Sequence, residues 1–387
     1  MPYDFDRIVE RRRTDSNKWR KYGPDVLPLW VADMDFPSPE PVVRALRERV
    51  EHGVFGYGYP VETVTPLQEV FADRLARLYG WHVSPEAVVL VPGVIPGFNV
   101  AARTVAGAGD GVLLALPLYP PLLRVPGNVG LTMDAADLSR SGDGRYEIEF
   151  DALARAVTPR TRFLLLCNPH NPVGRVFRRD ELERMAEICL RRGVIICSDE
   201  IHCDLLYTGQ RHIPIASLDP DIAQNTITLI APTKTFNLPG LQCSIAIVQN
   251  PELRQKYQEA RKGLAPWVNV MGLLAAQVAY REGQDWLDQL LAYLEANRDY
   301  LYDVVQSELT GITMTRPEAT YLAWLDCRQT GTDGNAYEFF LQKARVALGD
   351  GVLFGPGGEG FLRLNFGCSR ALLAEALERM KRALAPS

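Results

Sequence analysis

The sequence predicts an α/β fold with a mainly parallel sheet and a smaller α+β unit. Residues 180–193 have the pattern of an amphipathic helix that is capped by Asp180 and ends at Gly193. Short apolar runs typical of buried strands lie before and after it, at residues 87–91, 112–115, 163–167, 194–198, 226–230 and 244–248. Because strands alternate with helical segments, we expect parallel strands covered by helices on both faces.

After about residue 266 the pattern changes from short strands to long helices. A mostly helical stretch at about 271–309 is followed by strand-like YLAWLDC, helical NAYEFFLQKARVAL, strand-like FLRLNFG and a last helix from about Ala371. These segments predict a smaller α+β unit that the N-terminal segment completes. We predict an N-terminal arm with part of the small domain at 1–48, a large domain at 49–283 and a small C-terminal domain at 284–387.

Composition and charge indicate a folded chain that binds neither nucleic acid nor membranes. Of its 387 residues, 47% are hydrophobic and 23% are charged, as in typical globular proteins. The net charge of -5 is dispersed, and the basic run at 11–13 has acidic neighbours. No stretch reaches the roughly 18 uninterrupted apolar residues of a membrane span, and the N-terminus lacks the apolar segment of a secretion signal.

The cysteines indicate a reducing compartment. There are seven of them, with no Cys-x-x-Cys pair, and most lie in apolar runs. We therefore expect reduced core residues in a cytoplasmic protein.

Three polar side chains follow predicted strands in chain order. Asn171 lies in CNPHNPVG after the strand at 163–167, Asp199 follows the next strand, and Lys234 follows the strand at 226–230. Ligands of open α/β sheets bind at the carboxyl ends of the strands, so we expect the three to line one rim. A desolvated lysine can form an imine with an aldehyde, and a buried carboxylate needs a cationic partner such as a pyridinium N–H.

Two of these residues also have a simpler interpretation. Asn171 could cap a structural turn, and Asp199 could form a surface salt bridge. Glu200, His202 and Asp204 could suggest a metal, but their spacing matches no defined site, and we predict none.

Two glycine-rich segments suggest anion binding to different degrees. VPGVIPGFNVAA at 91–102 predicts a helix whose first amides, at Gly93, Val94 and Ile95, could bind phosphate, although a cap without a ligand is commoner. GPGGEG at 355–360 fits G-x-G-x-x-G but leads into a strand instead of opening a helix. We therefore predict a loop there and no dinucleotide site.

Six motifs in order resemble those of a known family. The motifs LPLWVADMDFPSP, VFGYGYP, NPHNPVGRVF, SDEIHCDLLY, TKTFNLPGLQ and FLRLNFGCSR are similar to motifs of the fold-type I pyridoxal-phosphate enzymes, the aspartate aminotransferase superfamily. The narrower resemblance is to its cystathionine β-lyase branch, of the MalY and PatB kind, over essentially the whole chain. It implies a seven-stranded, mainly parallel sheet in a large domain that binds pyridoxal 5'-phosphate, and a homodimer with shared active sites.

The resemblance assigns roles around the cofactor ring. Lys234 would bind the cofactor covalently and move the Cα proton, and Asp199 would pair with the protonated pyridine nitrogen. Asn171 would bond the cofactor O3', and His202 would lie near the same edge. Tyr119 would stack on the ring and, with Lys234 and Asp199, is predicted to be catalytic.

The resemblance also assigns residues to the cofactor phosphate. The amides of Val94 and Ile95 would bind it, together with the hydroxyl of Tyr57 across a dimer interface. The general aminotransferase pattern has an arginine eight residues after the lysine, where this chain has Gln242. Phosphate binding would therefore rely more on other donors, such as Thr233.

The amino-acid substrate would be held by its carboxylate. Arg363 would clamp that group with its guanidinium, helped by Asn171 and by the backbone near Ala32 and Asp33.

The branch implies a carbon–sulfur β-lyase that cleaves cystathionine or another S-substituted L-cysteine to a thiol, pyruvate and ammonia. A glutamine at position 242 is common in this branch and favours elimination. Two alternatives stay open: an aminotransferase using the same lysine, aspartate and arginine, and a non-catalytic binding protein on the same fold.

Overall fold

The computed structural model describes residues 2–58, 64–142, 144–332 and 335–385 and is built around one large sheet. Its strands are β1 (Val88–Val91), β2 (Gly111–Leu116), β3 (Thr132–Arg140), β4 (Tyr146–Ile148), β5 (Thr161–Cys167), β6 (Ile195–Asp199), β7 (Thr226–Ile230) and β8 (Ser244–Ile247). They lie in the order β1-β8-β7-β6-β5-β2-β3-β4. The middle strands β7, β6, β5, β2 and β3 run parallel, whereas β8 is antiparallel to both its neighbours and β4 to β3.

The predicted α/β fold with a mainly parallel sheet is confirmed, but the predicted number of seven strands is wrong, because the sheet has eight. The six strands predicted individually all exist, with ends within two residues of the prediction. The sequence predicted neither strand of the hairpin formed by β3 and β4. This hairpin forms the sheet's edge, where β3 alternates buried and exposed positions and carries polar residues, so it lacks a continuous apolar run.

Helices cover the sheet and fill the rest of the chain. They are α1 (Asn17–Arg20), α2 (Glu40–His52), α3 (Pro66–Tyr79), α4 (Val94–Val105), α5 (Pro120–Leu123), α6 (Val125–Val129), α7 (Phe150–Ala156), α8 (Arg179–Arg192), α9 (Pro220–Gln224), α10 (Pro232–Thr235), α11 (Pro251–Arg261), α12 (Val270–Glu282), α13 (Gln284–Glu308), α14 (Ala336–Phe339) and α15 (Arg370–Leu384). Short 3-10 turns lie at Pro85–Ala87, Ile215–Ser217, Pro239–Leu241 and Gly351–Phe354, and a π-helical turn at Phe340–Ala344. Within the described ranges, no helix is both long and apolar enough to cross a membrane.

Helix α8 confirms the predicted helix but not its predicted start. Gly193 ends it in the left-handed conformation, with φ +63°, as glycine allows. Asp180 is not the cap, because the helix already includes Arg179. The first turn is closed instead by the carboxylate of Glu181, which accepts the backbone N–H of Arg178 at 2.8 Å.

A smaller antiparallel sheet lies in the C-terminal part. Its strands β9 (Thr313–Met314), β10 (Leu322–Asp326), β11 (Gly349–Asp350) and β12 (Phe361–Asn365) lie in the order β9-β10-β12-β11. The N-terminal segment joins this part, since Leu27–Pro28 pairs in parallel with Val346–Ala347. The predicted domain boundaries at 48/49 and 283/284 stay predictions.

The direction of the strands places a site at one edge of the large sheet. The carboxyl ends of β1, β5, β6 and β7 meet there, and the antiparallel β8 begins there. Close packing holds α4 against this sheet, since a Cβ on Gly97 would lie 2.9 Å from a methyl carbon of Leu229. The loop at 355–360 leads into β12, as predicted.

Candidate active site

A cavity of about 430 Å³ opens at the carboxyl edge of the large sheet. Its position agrees with the rule that open α/β sheets bind ligands there. Nine of the twelve predicted site residues line it: Ala32, Val94, Ile95, Tyr119, Asn171, Asp199, His202, Thr233 and Lys234.

Three neighbouring strands bring the central side chains together. Asp199 is the last residue of β6 and lies opposite Cys167, the last residue of β5. Asn171 follows β5 by four residues. Lys234 follows β7 in the single turn of α10. The strand order β7-β6-β5 thus turns three positions spread over 64 residues of sequence into one wall.

Lys234 has the properties of a nucleophile. Burial and the positive charge of Arg363 lower its pKa to about 8, against the opposing effect of Asp33 and Asp199. Its Nζ donates a hydrogen bond to the carbonyl oxygen of Ala32. The ammonium therefore predominates at neutral pH, but a minor fraction of the amine is unprotonated and available to attack an aldehyde.

Asp199 is a buried carboxylate that forms no salt bridge with any described residue. Burial raises its pKa to about 7, although the N–H of Ile201 at 3.2 Å and the charge of Lys234 favour the ionised form. A ligand that presents a cationic N–H to this carboxylate would stabilise the charge. A pyridinium nitrogen has that property.

The start of α4 provides a site for an anion. Gly93 precedes the helix with φ +152°, a conformation that favours glycine. The first amides, those of Val94 and Ile95, have no acceptor inside the helix, and the helix dipole adds positive potential. Both residues line the cavity together with Thr233.

Two further side chains in the cavity wall were not among the predicted site residues. Gln242 lines the cavity with a left-handed backbone, φ +51°. Ser244 also lines it, and its hydroxyl is buried without a hydrogen-bond partner among the described residues. Ser244 begins β8, so its place at this edge follows only from the antiparallel direction of that strand.

His202 is buried in the cavity wall with its Nδ1 unpartnered among the described residues. Burial and the charges of Lys234 and Arg363 lower its pKa to about 3, so the imidazole is neutral. Its ring meets that of Tyr321 edge-on, with 6.1 Å between the centroids. Tyr119 lies in the same cavity, and burial raises the pKa of its phenol.

Arg363 lies on β12 and reaches the site from the small sheet. It is 6% exposed and donates to Asn171 Oδ1 at 3.0 Å and to the carbonyl of Trp30 at 3.1 Å. Burial lowers its pKa to about 10. No carboxylate of the described chain forms an ion pair with it, so it is suited to bind a ligand carboxylate.

Asp33 and Tyr57 are the two other predicted site residues that do not line the cavity. Asp33 pairs with Arg11 at 2.7 Å and lies 3.7 Å from the ammonium of Lys18. Tyr57 is fully exposed and does not line the cavity of its own chain. Its role across a dimer interface stays a prediction.

Residues 30–36, which we call the strap, connect the lysine with the arginine. Ala32 accepts from Lys234, and Trp30 accepts from Arg363. Tyr321 donates its hydroxyl to the same Ala32 carbonyl at 3.0 Å. The strap therefore fixes the distance between the two cationic groups of the site.

Two asparagines that the sequence did not indicate anchor the strap. Asn365 donates to the carbonyls of Val31 at 2.6 Å and Asp33 at 2.7 Å. Asn237 donates to the carbonyls of Met34 and Phe36 and accepts the N–H of Met34 at 3.0 Å. No local pattern could reveal them, because each lies 200 residues or more from the strap in sequence.

The side chains of this cavity fit pyridoxal phosphate. Lys234 can react with its aldehyde, Asp199 suits its pyridine nitrogen, and the start of α4 suits its phosphate. The unpartnered polar atoms of His202 and Ser244 offer further contacts. Within the described part of the chain, no group of three or more histidine, cysteine or acidic residues could hold a metal ion.

Comparisons with known proteins agree with this fit. Cystathionine beta-lyase PatB of Bacillus subtilis (strain 168) is 39% identical over 390 residues, covering 98% of this chain and 100% of PatB. The crystal structure of OvoB is 43% identical, with a TM-score of 0.94 and full coverage of both chains. The pyridoxal-phosphate-bound C–S lyase from Staphylococcus hominis is 32% identical, with a TM-score of 0.93, covering 100% of this chain and 99% of that one.

A family model described as Aminotransferase class I and II matches residues 24–380. The match spans the strap, the lysine, the aspartate and the arginine of the cavity. The protein therefore belongs to the aminotransferase class I and II family.

Proposed function

We propose that the protein is a pyridoxal-phosphate-dependent carbon–sulfur β-lyase that cleaves cystathionine or another S-substituted L-cysteine. The products are a thiol, pyruvate and ammonia, with one water consumed. The proposal rests chiefly on the nearly full-length similarity to a relative named cystathionine beta-lyase, in a chain whose cavity joins Lys234, Asp199 and Arg363 in one site.

Lys234 is the residue that moves the proton. When bound, pyridoxal phosphate supplies an electron sink for the negative charge that develops at the substrate Cα. The amine of Lys234 removes the Cα proton, and its pKa of about 8 suits a base that works near neutral pH. The Cβ–S bond then breaks, and its electron pair leaves with the sulfur as a thiolate.

Arg363 positions the substrate for this proton transfer. Its guanidinium can bind the α-carboxylate with two parallel hydrogen bonds, and Asn171 lies 3.0 Å from it. The strap holds Arg363 through Trp30 and Lys234 through Ala32, so the carboxylate and the Cα–H bond are oriented relative to each other.

Asp199 and Tyr119 complete the proposed catalytic group. Asp199 would keep the cofactor's ring nitrogen protonated and thereby strengthen its capacity to accept charge. Tyr119 would stack on the ring. Asn171 and His202 would contact the O3' edge of the ring.

The residue at position 242 supports the interpretation as a lyase rather than as an aminotransferase. We assign the phosphate to the amides of Val94 and Ile95 and to Thr233, all in the cavity wall. Gln242 occupies the position where the general aminotransferase pattern has an arginine, as it does in the lyase branch. An amide in place of a guanidinium removes one positive charge from the phosphate site.

We also propose a homodimer with shared active sites, located in the cytoplasm. Near the proposed interface, Val50, Val54, Phe55 and Tyr57 are more than half exposed, which is unusual for apolar side chains so close in sequence. In the dimer, Tyr57 would reach the phosphate site of the second subunit. The seven buried, unpaired cysteines support a reducing compartment.

Product analysis tests the proposed reaction. The protein, saturated with pyridoxal phosphate, is mixed with L-cystathionine or with a series of S-alkyl-L-cysteines, without any keto acid. We expect equal amounts of thiol and pyruvate. Amine transfer that occurs only when a keto acid is added would show an aminotransferase instead. The absence of both reactions and of a cofactor absorption band would indicate the non-catalytic alternative.

A further inference from the structure

A second cavity, of about 130 Å³, is separate from the active-site cavity. Arg179, Arg211 and His212 line it, together with Tyr79 and Ser217. It shares no lining residue with the cavity that contains Lys234. Its volume is well above that needed for a single water.

His212 is held at the wall of this second cavity by a buried carboxylate. Its side chain is fully buried, and its Nε2 lies 2.8 Å from Glu200 Oε2. The other oxygen of Glu200 accepts from Ser198 Oγ at 2.8 Å and from the N–H of Ile215 at 3.3 Å. Because the carboxylate is fixed on several sides, the imidazole that bonds it is fixed as well, with Nε2 as a donor.

The second ring nitrogen of His212 is unsatisfied. Nδ1 is buried and has no hydrogen-bond partner among the described residues, which is costly for a polar atom. The ring packs edge-on against Tyr79, with 5.7 Å between centroids, so it has little freedom to turn. A ligand in the cavity that bonds Nδ1 would remove this cost.

Two guanidinium groups line the same cavity. Arg211 forms no hydrogen bond or ion pair to any described side chain. Among the residues that the structure describes, Arg179 pairs with Glu183 alone, at 3.1 Å, and both side chains are more than half exposed, so that pair is weak. Arg179 also begins α8, whose 14 residues direct a helix dipole toward this end.

We propose that this second cavity binds a small oxyanion of the phosphate type. Arg179 and Arg211 would bind its oxygens from separate segments, which suits a tetrahedral anion. His212 would complete the site through Nδ1, either by donating as an imidazolium or by accepting the P–OH hydrogen of a protonated phosphate. The site is distinct from the one that receives the cofactor phosphate.

Calorimetric titration with inorganic phosphate tests the proposal. The protein is first saturated with pyridoxal phosphate, so that the phosphate site of the active cavity is filled, and sodium chloride keeps the ionic strength constant. We expect saturable binding of one phosphate per chain. In the Arg211→Ala variant, loss of one charge-assisted contact should weaken binding by at least about tenfold.

Two further variants distinguish specific binding of phosphate in this cavity from nonspecific attraction of phosphate to positive charge. Arg192→Ala removes an exposed arginine at the other end of α8 and should bind phosphate like the wild type. His212→Gln should weaken binding, and thermal unfolding establishes whether it is folded. Absence of saturable binding by the wild type, or equal affinity in the Arg211→Ala and Arg192→Ala variants, would overturn the proposal.

Discussion

The pKa of Lys234 is set by burial and by three charged neighbours. Burial and Arg363 lower it, while Asp33 and Asp199 raise it, and the net value is about 8. The ammonium therefore predominates below this pH and the free amine above it. The same guanidinium that is proposed to bind the substrate thus also prepares the lysine for its reaction.

Replacing Arg363 should raise the pKa of Lys234. In an Arg363→Gln variant the lowering effect of the guanidinium is lost, and we expect a rise on the order of one pH unit. The measurement is the rate at which cofactor-free protein binds pyridoxal phosphate at a series of pH values. The visible absorption of the cofactor monitors this binding. The rate increases as the amine deprotonates, with a midpoint near pH 8 in the wild type and higher in the variant. Arg192→Gln is the control, and an unchanged midpoint in Arg363→Gln would contradict the assignment.

Sequence alone predicted the residues whose position follows from a strand end. Lys234, Asp199 and Asn171 follow apolar strands, and parallel strands bring such positions to one edge. Ser244 was not predicted as a site residue because it begins a strand, and only an antiparallel direction places it at that edge. Asn365 could not be predicted, because its partners lie more than 300 residues away.

At the scale of elements, the strap is a short segment held largely by side chains, some from the nearby Arg11 and Lys18 and others from distant parts of the chain. Asn365 donates to two of its carbonyls and accepts the N–H of Gly367 at 2.8 Å. Tyr321 and Lys234 both donate to another carbonyl of the strap, that of Ala32. Stability and substrate positioning are therefore linked in this segment.

An Asn365→Ala variant should be less stable by about 2 kcal/mol, because the carbonyls of Val31 and Asp33 each lose one of their two hydrogen bonds. The free energy of unfolding is measured by urea denaturation. We also expect a higher KM for the amino-acid substrate, since the strap positions Arg363 through Trp30. Asn128→Ala, which removes one exposed hydrogen bond to Asn99, should change neither quantity appreciably. Equal stability of the two variants would show that the strap is held by other contacts.

The start of α4 should determine the affinity for the cofactor phosphate. A Gly93→Ala variant places a side chain on a backbone with φ +152°, and its Cβ would lie 3.4 Å from Pro96 Cδ. The first turn must shift, and we expect the Kd for pyridoxal phosphate to rise about tenfold. Equilibrium dialysis measures this Kd. Gly127→Ala, where the added Cβ meets no atom within 4 Å, is the control. Unchanged affinity in Gly93→Ala would place the phosphate elsewhere.

The sequence predicted the interior elements better than the edges. All six buried strand candidates are present because their apolar runs reflect burial on both faces. The hairpin of β3 and β4 was missed because one face of an edge strand is solvated. The start of α8 was placed two residues late, with Asp180 as the cap instead of Arg178, because the carboxylate of Glu181, from inside the helix, closes the first turn in place of a capping side chain.

At the scale of the whole molecule, the site joins distant parts of the chain. The strap comes from the N-terminal segment, Lys234 and Asp199 from the large sheet, and Arg363 from the small sheet. The strap's hydrogen bonds connect all three. A relative movement of the small sheet would therefore change the geometry at Arg363 and at the lysine together.

Mixing two inactive variants tests whether active sites are shared between subunits. Lys234→Ala and Tyr57→Ala should each have low activity alone. If Tyr57 acts in the site of the second subunit, random pairing of equal amounts gives heterodimers with one intact site, and about a quarter of wild-type activity should return. Size-exclusion chromatography establishes the dimer itself. No recovery after subunit exchange would contradict the role of Tyr57 across the interface.

The most direct test of the lyase assignment is the simultaneous appearance of thiol and pyruvate from an S-substituted L-cysteine, without a keto acid, in the wild type and in Lys234→Ala. We predict equal amounts of both products in the wild type. The variant should lack the cofactor absorption band of the wild type, and its rate should be lower by a factor on the order of a thousand, as expected for loss of the base. Wild-type protein that forms no pyruvate, or a Lys234→Ala variant that forms it at an undiminished rate, would contradict the assignment.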